Sequence, residues 1–304
     1  MAKVTEEAVA AVSNAHIEYL LHLADNALVL GQRNAEWCGH GPVLEEDIAL
    51  ANISVDLIGQ ARLLYQHVAN MAPTLAASRA ALPPEGANLP RGGPSANFLP
   101  LALATISAAP PPVTEDTLAY FRDAPAFRNY TLLELPHSVA DGERDYAVTI
   151  VRNFLYSALM VLVWDALHSS SDPQLAAIAE RSVKEARYHL RHSRDWLVRL
   201  GDGTAESNRR AQAALDHLMP FAPEFWAESA MENEAFALGV AVSTAGLKST
   251  WNALVDSALL EATLTRPASK ATPPQGKTGH HTEHLTRLLD EMQSLARQHP
   301  EAVW

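Results

Sequence analysis

The chain has 304 residues, 48% of them apolar, and sets 23 Lys and Arg against 35 Asp and Glu, a formal charge of −12. That balance excludes a nucleic-acid partner, which needs a basic surface to replace condensed counterions. The single cysteine, Cys38, excludes an intrachain disulfide and a Cys-rich metal site.

The opening "MAKVTEEAVAAVSNAH" lacks an apolar h-region, and the longest apolar run, "ALMVLVW" (Ala158 to Trp164), is too short to span a bilayer. A cytoplasmic protein without a membrane partner is expected. Apolar spacing is helical almost throughout, which predicts an all-α protein. A first helix covers Asn14 to Glu36 and ends at "CGHGP". A second covers Val43 to Asn70. Around "IALANISVDLI" it is apolar on more than one side, which predicts burial inside a bundle.

Residues 73 to 112 then hold 9 of the 19 prolines. Proline removes a backbone donor, so a long insertion is expected at about 73–113, with "NFLPLALATI" docking on the body. A short helix and an ordered loop fill Thr114 to Pro136. The third long helix runs from Glu143 to His168. The fourth runs to Leu200, with Asp172 as N-cap and Pro173 at its first position. Helices at Ala205–Leu218 and Glu232–Leu264 follow, then a loop (Pro267 to Gly279) and a last helix, Glu283 to Gln298, capped by Thr282. Two helix pairs joined by one long crossover, with helices appended, predict a ferritin-like four-helix bundle. Residues 1–304 are read as one helical domain.

Ferritin-like di-iron proteins take one Glu from each of two helices and a Glu-x-x-His pair from each of the other two. Residues three apart share a helix face, so both reach one metal. The first helix offers Glu18, Asp25, Gln32 and Glu36. The second offers Asn52, Asp56 and Gln60 on one stripe, with no His before His67. The third has no Asp, Glu or His between Asp145 and Asp165. The fourth, in "SVKEARYHLRHSRDWL", sets His189 four residues after Glu185 rather than three. Three helices of four therefore miss the inventory. Gln32, Asn52, Asp56, Gln60, Glu185 and His189 read as polar remnants of a lost site, with no metal and no catalytic residue in this chain. Glu185 and His189 are expected to form a local i, i+4 pair, with Arg152 or Lys184 neutralising Asp56. "GHHTEH" (Gly279 to His284) reads as a polar helix start rather than a metal site.

Three stretches carry a resemblance: "LADNALVLGQRNAEWCGHGPVLEEDIALANISVDLIGQAR" (Leu23 to Arg62), "DPQLAAIAERSVKEARYHLRHSRDWLVRLGDGT" (Asp172 to Thr204) and "GKTGHHTEHLTRLLDEMQ" (Gly276 to Gln293). Together they resemble the C-type subunit of the bacterial multicomponent phenylacetyl-CoA epoxidase (ring-1,2-phenylacetyl-CoA monooxygenase). The Pro-rich segment departs from that family. The resemblance implies a ferritin-like bundle without its own di-iron centre. It implies pairing with a homologous catalytic subunit that carries the iron, while other components, including a reductase, deliver electrons from NADPH. It also places Ala126, Phe127, Arg128 and Asn129 near the acyl-CoA at the subunit junction; the residues alone fit a solvated turn equally well. The alternative is a free-standing ferritin-like di-iron oxygenase with atypical ligands.

Overall fold

The computed structural model describes residues 13–80, 113–139, 142–268 and 275–302. Among them there is no strand. Four long helices form the body: α1 (Asn14–Ala35), α2 (Leu44–Ala80), α5 (Tyr146–Leu167) and α6 (Pro173–Gly201). Between α2 and α5 lie α3 (Glu115–Tyr120), a 3-10 turn (Ala124–Ala126) and α4 (Thr131–Glu134). After α6 come α7 (Ala205–Leu218), a 3-10 segment (Met219–Trp226), α8 (Ala230–Ala237), α9 (Thr244–Glu261), a 3-10 turn (Gly276–Thr278) and α10 (Glu283–Gln298). The predicted all-α, ferritin-like arrangement with one crossover is what forms: α1 packs on α2, α5 on α6, and α2 against α6.

Local chemistry sets the helix starts. Ser13, Asp145, Asp172, Ser243 and Thr282 each accept a hydrogen bond from a first-turn N–H of the helix they precede, which satisfies donors with no intrahelical partner. Thr114, Thr204 and Ser229 form reciprocal capping boxes. α1 and α5 are buried on almost every side. α5 is the one helix among the described residues long and apolar enough to cross a membrane, yet 89% of its most apolar window is buried in the fold. Its apolar length therefore belongs to the bundle core. α6 buries a single stripe, including Leu175, Val183, Ala186 and Leu197.

Three features differ from the sequence expectations. The second helix does not stop at Asn70 but continues through Pro73 to Ala80, giving up one backbone bond at the proline. The rest of the Pro-rich segment, with "NFLPLALATI", falls at 81–112, outside the described residues. The expected helix Glu232–Leu264 is two helices. Gly239 takes a left-handed φ of +73°, a conformation open to glycine at little cost. Its carbonyl accepts from the Ser171 N–H (2.8 Å), so the break docks on the α5–α6 connection. The third difference is exposure. α2 is not covered all round: Leu44, Ile48 and Val55 are 73%, 52% and 68% exposed. Its second apolar face meets no described element of this chain.

Candidate functional site: the polar interior between the helices

The stripe of α2 that faces α6 makes two contacts, neither of them the expected one. Gln60 donates its amide N–H to Glu185 Oε2 (2.9 Å), and His189 Nε2 lies 3.1 Å from Asp56 Oδ2. Glu185 also accepts from Arg181 Nε at 3.2 Å. Glu185 and His189 therefore do not pair with each other. Each instead reaches across to α2. Asn52 lies on the exposed stripe of α2, and Gln32 is half-buried with no described side-chain bond. The six remnants thus resolve into two cross-helix pairs and two outliers.

α5 brings Thr149, Arg152, Asn153 and Ser157 inward, all buried. Asn153 and Asn34 of α1 exchange amide bonds of 2.9 Å in both directions, a neutral contact between two core helices. Arg152 does not neutralise Asp56. Its described bond is to the Pro136 carbonyl at 2.5 Å, and Nε and Nη1 have no hydrogen-bond partner among the described residues. Burial first, and then the nearby Arg33 charge, pull its pKa down to about 9. Lys184 is exposed. The donor set thus falls short of a dinuclear iron centre: α5 turns no anion or imidazole inward, its Asp165 being exposed and bound to Arg187.

The acids on α1 also have partners. Asp25, wholly buried, accepts from Tyr65 Oη (2.5 Å), the Arg128 N–H (2.8 Å) and both terminal nitrogens of Arg122. The Arg122 guanidinium stacks over the Phe127 ring at 4.2 Å. Glu18 accepts from Arg128 Nε at 2.7 Å. Glu36 takes Arg33 at 2.6 Å.

The segment Ala126–Asn129 is therefore not a solvated turn, and Phe127 and Asn129 are wholly buried. The Ala126 carbonyl accepts from Arg122, and Asn129 donates to Glu134 Oε2 at 2.9 Å. Arg128 Nη1 binds the Pro125 and Phe127 carbonyls. A nearby surface groove of 470 Å³ is lined by Asp123, Pro125, Asp290 and Arg297 among others, but not by Arg128 or Asn129. An interior cavity beside Tyr19, His22 and Tyr130 holds only about 10 Å³, far below a small-molecule pocket of roughly 300–1,000 Å³.

"GHHTEH" forms the helix start that was expected. Thr282 caps α10, its N–H binds Glu134 Oε1 (2.6 Å), and His281 Nδ1 lies 2.7 Å from Glu134 Oε2. Sequence reasoning missed the Asp25–Tyr65–Arg122 triad, whose members stand far apart in the chain with no motif. It also missed a cluster at the bundle end. His16 Nε2 and His67 Nε2 lie 2.7 and 2.6 Å from Asp172 Oδ2, while Asp172 Oδ1 caps α6. Burial raises the Asp172 carboxyl pKa, but bonds from His16, His67 and the Leu175 N–H outweigh it and hold the group well below the usual range. The cap was legible as Asp172-Pro173; the two histidines were not.

The family described as phenylacetic acid catabolic protein matches residues 1–304. The chain belongs to that family. A relative, the C-type subunit of the 1,2-phenylacetyl-CoA epoxidase of Escherichia coli (strain K12), is 40% identical over 286 residues, covering 94% of this chain and 98% of that protein. Family members are thus expected to share the bundle; the interior described above is read from this chain's own residues.

Proposed function

We propose that this chain is a non-catalytic structural subunit of a phenylacetyl-CoA epoxidase assembly, cytoplasmic and serving phenylacetate breakdown. It pairs with and stabilises a homologous subunit that holds the di-iron centre, while a reductase component supplies electrons from NADPH. The observation that carries this reading is α5, which turns Thr149, Arg152, Asn153 and Ser157 inward where a di-iron bundle needs a carboxylate or Glu-x-x-His. The uncovered stripe Leu44, Ile48 and Val55 on α2 supports a protein partner, since exposed apolar patches mark interaction surfaces. Phenylacetyl-CoA meets this chain at most at the subunit junction, because Arg128 and Asn129 are already bonded within the fold.

Co-expression with a di-iron homologue tests it. The expected outcome is a stable heteromer with iron held by the partner, epoxidation of phenylacetyl-CoA, and no dinuclear iron in this chain alone. Stoichiometric dinuclear iron in the isolated, folded chain would sink the proposal and favour a free-standing oxygenase. In the same assay Val55→Asp weakens heteromer formation at least tenfold while leaving the isolated chain's melting temperature unchanged; equal association would clear α2 of that role.

A further inference from the structure

We propose that His16, His67 and Asp172 form a mononuclear zinc-class site that clasps α1, α2 and the start of α6, separate from the polar remnants of the bundle. Among the described residues this is the one group of three or more His, Cys, Asp or Glu donors whose ligand atoms all lie within 4.8 Å of one another. The three donors come from three different elements, and their side chains are only 13%, 14% and 5% exposed. Both rings aim Nε2 at the same carboxylate oxygen, at 2.7 and 2.6 Å, and meet edge to face with centroids 6.3 Å apart.

Two imidazoles and one carboxylate, with water completing the fourth position, are a donor set that suits zinc. Asp172 is oriented for the task. Its Oδ1 takes the N–H groups of Gln174 and Leu175 at 2.9 and 3.1 Å, leaving Oδ2 directed at the histidines. Outer bonds of this kind fix ligand geometry in metal sites. Tetrahedral zinc, with bonds of about 2.0–2.2 Å, separates its donors by about 3.3 Å. The present contacts of 2.7 and 2.6 Å must therefore widen by roughly 0.6–0.7 Å on binding. On binding, each ring carries its proton on Nδ1 and offers the Nε2 lone pair to the ion.

The place is distinct from the remnants. His67 is eleven residues beyond Asp56 on α2, about 16 Å along the axis. Asp172 precedes Glu185 by thirteen residues, roughly 20 Å along α6. A clasp here ties the start of α1 to α2 and to the start of α6.

The test uses the full chain, purified without a metal-affinity tag and dialysed against a chelator. Zinc chloride is titrated by calorimetry, with Co²⁺ as an optical probe of tetrahedral coordination. The expected result is one ion per chain, tetrahedral Co²⁺ bands and a higher melting temperature with zinc. His67→Gln is expected to weaken binding at least 100-fold and to remove the thermal shift, whereas His280→Gln changes neither. Asp172→Asn, whose Oδ1 keeps the cap on Gln174 and Leu175 while an amide N–H replaces the ligand oxygen, serves as a second variant should His67→Gln fail to fold. Absence of binding below millimolar zinc, or binding that both variants leave intact, would overturn the proposal. A dinuclear centre would instead take two ions and be indifferent to His67→Gln, so this result and the previous one fail separately.

Discussion

Glu185 separates a structural reading of the interior from a catalytic one. Glu185→Ala removes the acceptor of the Gln60 amide at 2.9 Å, and Gln60 is only 4% exposed. A hydrogen bond to a charged group contributes about 1.5–3 kcal/mol, and a stranded buried donor costs a similar amount. The Arg181 contact, with Arg181 67% exposed, adds no more than about 0.3–0.5 kcal/mol as an i, i+4 pair. The expected loss is about 2 kcal/mol. With a urea m-value near 3 kcal/mol per M, that moves the midpoint down by about 0.7 M. Glu185→Gln keeps an acceptor for Gln60 and should recover at least half of the loss. The assay pairs urea denaturation, followed by helical circular dichroism, with phenylacetyl-CoA turnover per assembled heteromer. Turnover per complex should match the parent for both variants. A tenfold or greater drop in turnover, in a complex of unchanged stability and composition, would refute the reasoning and return Glu185 to the chemistry.

Three further outcomes follow from the packing. Arg122→Met strands the wholly buried Asp25 carboxylate and should cost about 3–5 kcal/mol, whereas Asp25→Leu with Arg122→Met should regain at least half of it; a double variant no more stable than the single would contradict this. Burial, and then the Arg152 charge, hold His137 well below its ordinary pKa, and its Nδ1 accepts from Thr149 while Nε2 donates to the Arg33 carbonyl at 2.6 Å. The unfolded chain then binds the extra proton, so stability is full above about pH 6.5 and falls as pH drops below it, by at most about 1.4 kcal/mol per unit for that histidine; equal urea midpoints at pH 7.5 and 5.5 would refute it. A Cβ on Gly201 would sit 2.1 Å from the Ala262 carbonyl oxygen, so Gly201→Ala should cost about 1–3 kcal/mol through forced backbone shifts, measurable as a lower melting temperature.

Helix existence and caps were written in the sequence, because apolar period and capping chemistry act within a few residues. Asp172-Pro173 and Thr282 announced their helices, and α5 announced its missing ligands by composition alone. No such local rule reaches across the chain. The pairing of Glu185 with Gln60 rather than His189 depends on how far apart α2 and α6 settle. Arg122 finds Asp25 from 97 positions away, and His16, His67 and Asp172 meet only once three helix ends converge. The left-handed turn at Gly239 is likewise fixed by a docking partner, Ser171, on another element. What the sequence determined by itself was the helices and what they lack. Tertiary structure decided which polar groups meet, since a buried charge or amide is stabilised only by whichever distant partner the packing delivers.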